Sequence, residues 1–180
     1  RYKNFDLSVF INGSYGNKVY NYLSMKLTHM NSPWTNQLNA VNGRAQLVPI
    51  NPNKVYEDGT MWYNDVSNVM VANPGASIPR ATINDPNDND RISDRYIEDG
   101  SYIRLKNISL GYTFPKKTID KLGLSNLRIY ANIQNLLTIT GYDGYDPEIG
   151  ASTSSVNVYG LDNGRYPSPT VYSFGLNVSF

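Results

Sequence analysis

Alternation with a period of two dominates four stretches of the chain. From Thr170 to Phe180, the residues Thr170, Tyr172, Phe174, Leu176, Val178 and Phe180 fall on one face, and Val171, Ser173, Gly175, Asn177 and Ser179 on the other. Successive side chains of a strand point to opposite sides, so residues 169–180 predict a strand with one greasy face and one small or polar face. Phe5, Leu7, Val9, Ile11 and Tyr15 alternate with Asp6, Ser8, Asn12 and Ser14, broken only at Phe10, which predicts a second such strand over residues 5–15. Over 126–139, Leu127, Ile129, Ala131, Ile133, Leu137 and Ile139 stand opposite Arg128, Tyr130, Asn132, Gln134 and Thr138, with Asn135 as the polar break. The stretch 101–114 is less regular. Ile108, Leu110, Tyr112 and Phe114 share a face, but Ile103 and Leu105 have the opposite parity, with Arg104 and Lys106 between them. A bulge near Lys106 or Asn107 would reset the faces.

Length decides what such strands are for. A strand of about twelve residues rises roughly 40 Å and, tilted about 40°, spans about 30 Å, enough for an apolar band about 25 Å tall. Soluble strands of about 5–6 residues reach half as far. The pattern therefore predicts an all-β wall with hydrocarbon on one side. A soluble β-sandwich, in which the greasy face packs on a second sheet, is the competing architecture. On the membrane reading, the parity of Ile103 and Leu105 has a second explanation, namely that this half of the strand extends beyond the lipid.

The connections alternate in length. Pro115–Ser125, PKKTIDKLGLS, is short, with Pro115 stopping the strand and Gly123 placed to close a single helical turn. Residues 16–100 and 140–168 are long, and within the first, NKVYNYLSMKL at 17–27 has the spacing of a short helix. Short turns on one side and long loops on the other are the habit of outer-membrane barrels. If Phe180 ends on the periplasmic side, both long loops lie outside. Four strands cannot close on themselves, because such barrels have at least about 8 and each unsatisfied backbone group at an edge in lipid costs several kcal/mol. The chain is thus expected to be a piece of a longer polypeptide, as its start at Arg1 without a leader also suggests.

Composition narrows the partners. At 40% hydrophobic and 17% charged the chain is neither disordered nor a bundle of membrane helices, and a net charge of +1 with scattered basic residues leaves no footprint for nucleic acid. Fifteen Tyr, with 14 Gly and 10 Pro, suit strands, turns and water–lipid interfaces. The absence of Cys excludes disulfides and thiolate chemistry.

Chemistry-bearing residues lie in the loops. His29 is the only histidine, and no nucleophile elbow or phosphate loop is present, so no enzymatic reaction and no cofactor are expected. A hydrolase would need a carboxylate pair on a rigid cleft, which the loops do not visibly supply. NDPNDNDRISD at 84–94 places Asp85, Asp88, Asp90 and Asp94 densely enough to suggest a hard cation. The spacing fails the EF-hand template, however: counted from Asp88, Ser93 stands where Gly belongs and Asp99 where Glu belongs. A solvated turn with Arg91 and Arg95 pairing locally is the favoured reading, and no metal is expected. YDGYDPEIG at 142–150 sets Tyr142 and Tyr145 beside Asp146 and Glu148, a set suited to sugar or peptide contact or to simple interfacial anchoring. Trp34, Trp62 and Tyr63 admit the same two readings.

Four segments carry a family resemblance: FDLSVFINGSYGNKVYNY at 5–22, RISDRYIEDGSYIRLKNISLGYTFP at 91–115, LRIYANIQNLLTITGYDGYDPEIG at 127–150, and the terminal TVYSFGLNVSF. They resemble the C-terminal part of SusC/RagA-type TonB-dependent transporters, with residues 28–75 the least recognisable. The resemblance implies a barrel of about 22 strands in the bacterial outer membrane, of which this chain supplies the last four, with the N-terminal plug and TonB-contacting box outside it. It implies import of oligosaccharides or peptides with a SusD-like surface lipoprotein, energised through TonB. It also implies that Phe174, Leu176, Val178 and Phe180 form the aromatic terminal signal read by the barrel assembly machinery. The polar set Arg128, Tyr130, Asn132 and Gln134 would face the plug. The alternative function is a secreted, soluble carbohydrate-binding or adhesive sandwich module.

Overall fold

The computed structural model describes residues 2–148 and 159–180, and in it the chain forms two compact units: residues up to Tyr20 together with Ile97–Phe180, and Asn21–Tyr96. Among the described residues the strands are β1 (Phe5–Ser14), β2 (Lys18–Asn21), β3 (Leu47–Pro49), β4 (Val69–Val71), β5 (Ile97–Asp99), β6 (Tyr102–Thr113), β7 (Asn126–Thr140), β8 (Leu161–Asp162) and β9 (Val171–Ser179). Two short helices, α1 (Tyr22–Thr28) and α2 (Lys116–Ile119), complete the regular elements apart from single turns.

The first unit is organised by a four-stranded antiparallel sheet in the order β1-β6-β7-β9. Its register aligns the apolar positions of all four strands into rows. Phe5, Tyr112, Ile129 and Leu176 form one row; Leu7, Leu110, Ala131 and Phe174 the next; Val9, Ile108, Ile133 and Tyr172 the third. Ile11–Leu105–Leu137 and Gly13–Ile103–Ile139 continue the series over three strands. The opposite face carries Ser8, Ser109, Asn132 and Ser173 in one row and Asn12, Arg104 and Thr138 in another. A one-residue slip anywhere would exchange the two faces.

The break in parity on β6 is absorbed by a bulge. Phe10 pairs with Asn107 and Ile11 with Leu105, so Lys106 has no partner on β1 and Ile103, Leu105 and Ile108 share the apolar face. On β7 the same level holds two extra residues, Asn135 and Leu136, between Gln134 and Leu137. Asn135 takes the left-handed backbone (φ 51°) that its short polar side chain tolerates, and its Nδ2 donates to the Pro169 carbonyl at 3.1 Å.

Nothing among the described residues covers the apolar rows. Phe174 is 84% exposed, and Leu7, Ile129, Leu137 and Leu176 are all exposed. The buried apolar residues, Val19, Met25, Tyr96, Ile119 and Tyr142, lie outside the four long strands. The other sheets are small, β5-β2-β8 and β3-β4. A sandwich needs a second sheet on the greasy face, and none of comparable size is present among the described residues.

Topology fixes the ends. Ser14 pairs with Tyr102 and Tyr102 with Thr140, so both long connections leave from one end of the sheet. The short turn lies at the other end, where Asn126 pairs with Ser179. There α2 and a following single turn stop at Gly123 in the left-handed region (φ 68°).

The long connection from Tyr15 to Gly100 is folded rather than irregular. Helical spacing over 17–27 is realised only from Tyr22, because Lys18, Val19 and Tyr20 pair with β5. Asn21 ends the extended stretch by accepting from the Ser24 amide at 2.8 Å, a side-chain cap at the start of α1. In the second unit, β3 and β4 form a ribbon flanked by turns pinned through Asn51, Asp65, Asn68 and Asn73.

Candidate functional site

The polar face of the long sheet ends in a charged cluster at the end where the long connections leave. Arg104 on β6 is 3% exposed. Its Nε donates to Thr138 Oγ1 at 2.8 Å, its Nη1 to Glu148 Oε2 at 2.8 Å, and its Nη2 to Asp146 Oδ1. The bulged Lys106 donates to the other oxygen of Glu148. Asp146 also accepts from the Glu148 and Ser168 amides at 2.9 and 3.0 Å. Two cations thus face two carboxylates, and the planar guanidinium, with donors fixed in a fork, satisfies both acids at once.

This arrangement ties the segment Tyr142–Glu148 back onto the sheet. Tyr142 is buried and its hydroxyl donates to Asp162 Oδ2 at 2.6 Å, while Asp162 Oδ1 accepts from the Gly164 amide at 2.7 Å. Burial, then the hydrogen bond to Asp162, push the Tyr142 phenol well above its usual value, so it stays a neutral donor. Burial pushes Asp146 up, but the bonds from Arg104 and from the Ser168 and Glu148 amides outweigh it and hold the carboxyl below the usual range.

The four residues predicted to contact a ligand therefore divide. Tyr142, Asp146 and Glu148 are brought together as a strap-fixing network, while Tyr145 stands apart, 64% exposed. A recess lined by Asp146, Glu148, Asp162, Arg165, Tyr166 and Ser168 has a volume of about 50 Å³, room for little more than a water molecule. Ile149 and Gly150, the end of the same motif, lie outside the described residues. The sequence reading missed Arg104, Lys106 and Asp162 as partners. The signal that was present is the pair of cations flanking Leu105 in an otherwise apolar strand.

The second unit holds the other predicted cluster. Asp85 is buried and accepts from the Asn89 amide and Nδ2, each at 2.5 Å, and from His29 Nε2 at 2.9 Å. Burial raises its pKa, but these bonds outweigh it and hold the carboxyl low. His29 Nδ1 lies 4.0 Å from Asp90 Oδ2, so His29, Asp85 and Asp90 converge while Asp88 is not part of the group. A hard cation of the calcium type takes about 6–8 oxygen ligands. Here two carboxylates, one already engaged by three donors, and an imidazole offer far fewer. The arrangement reads as a turn held by His29, with Asp85 in left-handed backbone (φ 29°).

Of the remaining predicted residues, Leu176 and Val178 lie on the apolar face within β9 with Phe174, and Phe180 is 93% exposed beyond its end. The polar-face residues Arg128 and Tyr130 lie across glycines: a Cβ at Gly111 would overlap the Arg128 guanidinium, and one at Gly175 the Tyr130 ring.

No protein-family model matches the chain. Among curated proteins it is similar to TonB-dependent receptor P3 of Formosa agariphila, 35% identical over 185 residues that cover 100% of this chain and 15% of the relative. TonB-dependent receptor P26 of the same bacterium is 32% identical, covering 99% of the chain and 16% of the relative. TonB-dependent receptor SusC of Bacteroides thetaiotaomicron is 36% identical over 93 residues, 51% of the chain and 8% of the relative. Among solved structures the fold matches the RagAB peptide transporter with a TM-score of 0.66 at 20% identity, covering 100% of this chain and 16% of that one. The chain spans only about 15% of the length of the first of these relatives.

Proposed function

The chain belongs to the SusC/RagA-type TonB-dependent receptors of the outer membrane, and from that membership we propose that it builds one wall of a closed barrel of about 22 strands that imports nutrients. The observation that supports the wall most directly is the set of exposed apolar rows running across β1, β6, β7 and β9. A 12-residue strand such as β6 is long enough, at a tilt of about 40°, to cross an apolar band about 25 Å tall. The outer edges of β1 and β9 take strands from the rest of the receptor, because an open edge in hydrocarbon costs several kcal/mol per unpaired group.

In this reading the polar face lines the lumen, with Arg128, Tyr130, Asn132 and Gln134 toward the plug, and both long connections lie outside the cell. Cargo is an oligosaccharide or a peptide, captured with a SusD-like lipoprotein and moved at the expense of the TonB system. Tyr145 is the residue of the Tyr142–Glu148 strap that meets cargo or lipoprotein, while Tyr142, Asp146 and Glu148 hold the strap in place. The terminal residues Phe174, Leu176, Val178 and Phe180 serve barrel assembly. The soluble sandwich has no observation in its favour.

Spin labels placed one at a time in the full-length receptor in lipid test the wall. Labels at Val9 and Ile133 should be relaxed by oxygen dissolved in the bilayer, and labels at Ser8 and Asn132 by a water-soluble nickel complex. The reverse pattern, or equal access of both reagents to both pairs, refutes the orientation.

A further inference from the structure

We propose that a cleft within the second unit binds an anionic saccharide through its carboxylate or sulfate groups. The cleft lies among the segments 44–47, 62–64 and 80–86 and has a volume of about 850 Å³, within the range of about 300–1,000 Å³ that holds a small ligand.

Its charge is the first argument. Arg44 and Arg80 line it, both half-buried, and among the described residues no carboxylate side chain does. Elsewhere in the chain a part-buried arginine finds an acid, as Arg104 finds Asp146 and Glu148, and Arg128 finds Asp6. Arg44 spends one amine on the Val41 carbonyl at 3.3 Å. Among the described residues Arg80 makes no ion pair or side-chain hydrogen bond. Two half-buried guanidinium groups with no acid partner among the described residues are the donors that a carboxylate or sulfate matches in two-pronged geometry.

The rings and amides are the second argument. Trp62 and Tyr63 stand nearly edge to face, centroids 5.7 Å apart at 79°, and give apolar ring surface on which a pyranose can stack. Gln46, Asn64 and Thr82 add groups that both donate and accept, the complement of sugar hydroxyls.

One wall, the segment 44–47, is also preorganised. Asn73 accepts from the Gln46 amide at 2.8 Å and donates to the Arg44 carbonyl at 2.9 Å. The Ala45 amide is bonded to Ile78 and the Gln46 carbonyl to Ala72, each at 2.8 Å. An extended acidic peptide would pair with a free backbone edge, and along Arg44–Gln46 that edge is already used.

The inference names the cargo chemistry of the import reading and rests on that reading only for the cargo's route. The full-length receptor purified in detergent is titrated by calorimetry with tetragalacturonate, a sulfated tetrasaccharide, cellotetraose and hexaglutamate. One or both anionic saccharides should bind, with cellotetraose and hexaglutamate weaker by roughly tenfold or more. Arg44→Gln with Arg80→Gln should weaken the anionic saccharide by roughly tenfold or more, and Trp62→Ala should weaken it too. Arg44→Lys with Arg80→Lys, which keeps the charge, should retain part of the affinity and guards against a misfolded double variant. Equal binding of cellotetraose, preference for hexaglutamate, no binding of any probe, or unchanged binding in the Gln pair overturns the proposal. Uptake of labelled tetragalacturonate by cells is scored separately: binding without uptake counts against import, and uptake that is indifferent to the Gln pair counts against the cleft.

Discussion

Arg128 on β7 reaches over Gly111 on β6 to Asp6 on β1, closing Nη2 to Oδ2 at 2.6 Å and Nε to Oδ1 at 3.2 Å. One side chain thus staples three strands. The crossing needs a glycine beneath it, because a Cβ at Gly111 would fall on the guanidinium. Both ends of the pair are partly exposed, so its charge energy is small, and Asp6→Asn should cost roughly 1 kcal/mol or less. Gly111→Val should cost more, about 1–3 kcal/mol, because it displaces the arginine and overpacks the face. Heat-modifiability of the full-length receptor on unboiled gels reads the difference: the Gly111→Val barrel should unfold at a clearly lower temperature than the Asp6→Asn barrel. Equal losses would mean that the ion pair, rather than the close approach, is what matters.

Arg104 carries more, because it is buried and satisfies three side chains. Arg104→Gln leaves Asp146 and Glu148 without their shared cation, and breaking a buried pair from one side costs about 3–5 kcal/mol. Glu148 keeps Lys106, so the lower end of that range applies. The loss should be local, appearing as faster hydrogen exchange and proteolysis around Tyr142–Glu148 with β1 and β6 still protected. Tyr142→Phe should loosen the same segment by about 1–3 kcal/mol, since it leaves the buried Asp162 with one donor fewer. If neither variant changes protection there, the network does not hold the segment.

Acid should release both loop clusters. Asp146 and Asp85 have carboxyls held below the usual range, for each of which burial works the other way and hydrogen bonds prevail. A group with a depressed folded pKa adds stability that is fully present above its unfolded value of about 3.9 and is lost as pH falls through the folded one. Exchange protection at Tyr142–Glu148 and around Asn89 should therefore be flat from about pH 7 to about pH 5 and fall below about pH 4. In Asp146→Asn the first of these falls should disappear and the second remain.

The alternation makes the sheet legible in the sequence, because a strand with one apolar face carries an apolar residue at every second position and the pattern survives without a folded neighbour. Even the irregularity on β6 was readable, since Leu105 and Ile108 can share a face only if one residue between them is extruded. The matching irregularity on β7 showed only as a polar residue, Asn135, because a left-handed backbone leaves no periodic trace. The charged cluster was half visible. YDGYDPEIG stood out by composition, yet its carboxylates are bound to Arg104, 42 residues or more away, and nothing local announces such a partner. The same holds for His29 and Asp85, 56 residues apart. The cleft around Arg80 was invisible for a different reason: its character lies in two arginines with no acid beside them among the described residues.

The bulge at Lys106 gives the sharpest test of how sequence specifies the faces. With Lys106 removed, Ile103, Arg104, Leu105, Asn107 and Ile108 alternate without interruption, and the pairing of Phe10 with Asn107 and of Ile11 with Leu105 needs no extra residue. Removal of Ser109 shortens the same strand equally but sets Ile108 beside Leu110, so either one half of β6 turns over or the bulge is absorbed with Asn107 on the apolar face and Ile108 on the polar one. Turning over exchanges Arg104 with Ile103 and Leu105 across the sheet, and on the proposed membrane reading an arginine facing lipid costs from about 1 kcal/mol near the interface to about 2–4 kcal/mol at the midplane, whereas absorbing the bulge leaves the Asn107 amide on that face. The Lys106 deletion should therefore reach the outer membrane in near-normal amounts, with only looser hold on Glu148, whereas the Ser109 deletion should be degraded before assembly. Quantitative blots of outer-membrane fractions decide it. Loss of both would mean that the barrel requires the bulge itself, and survival of both would mean that β6 can shift its bulge to wherever the parity breaks.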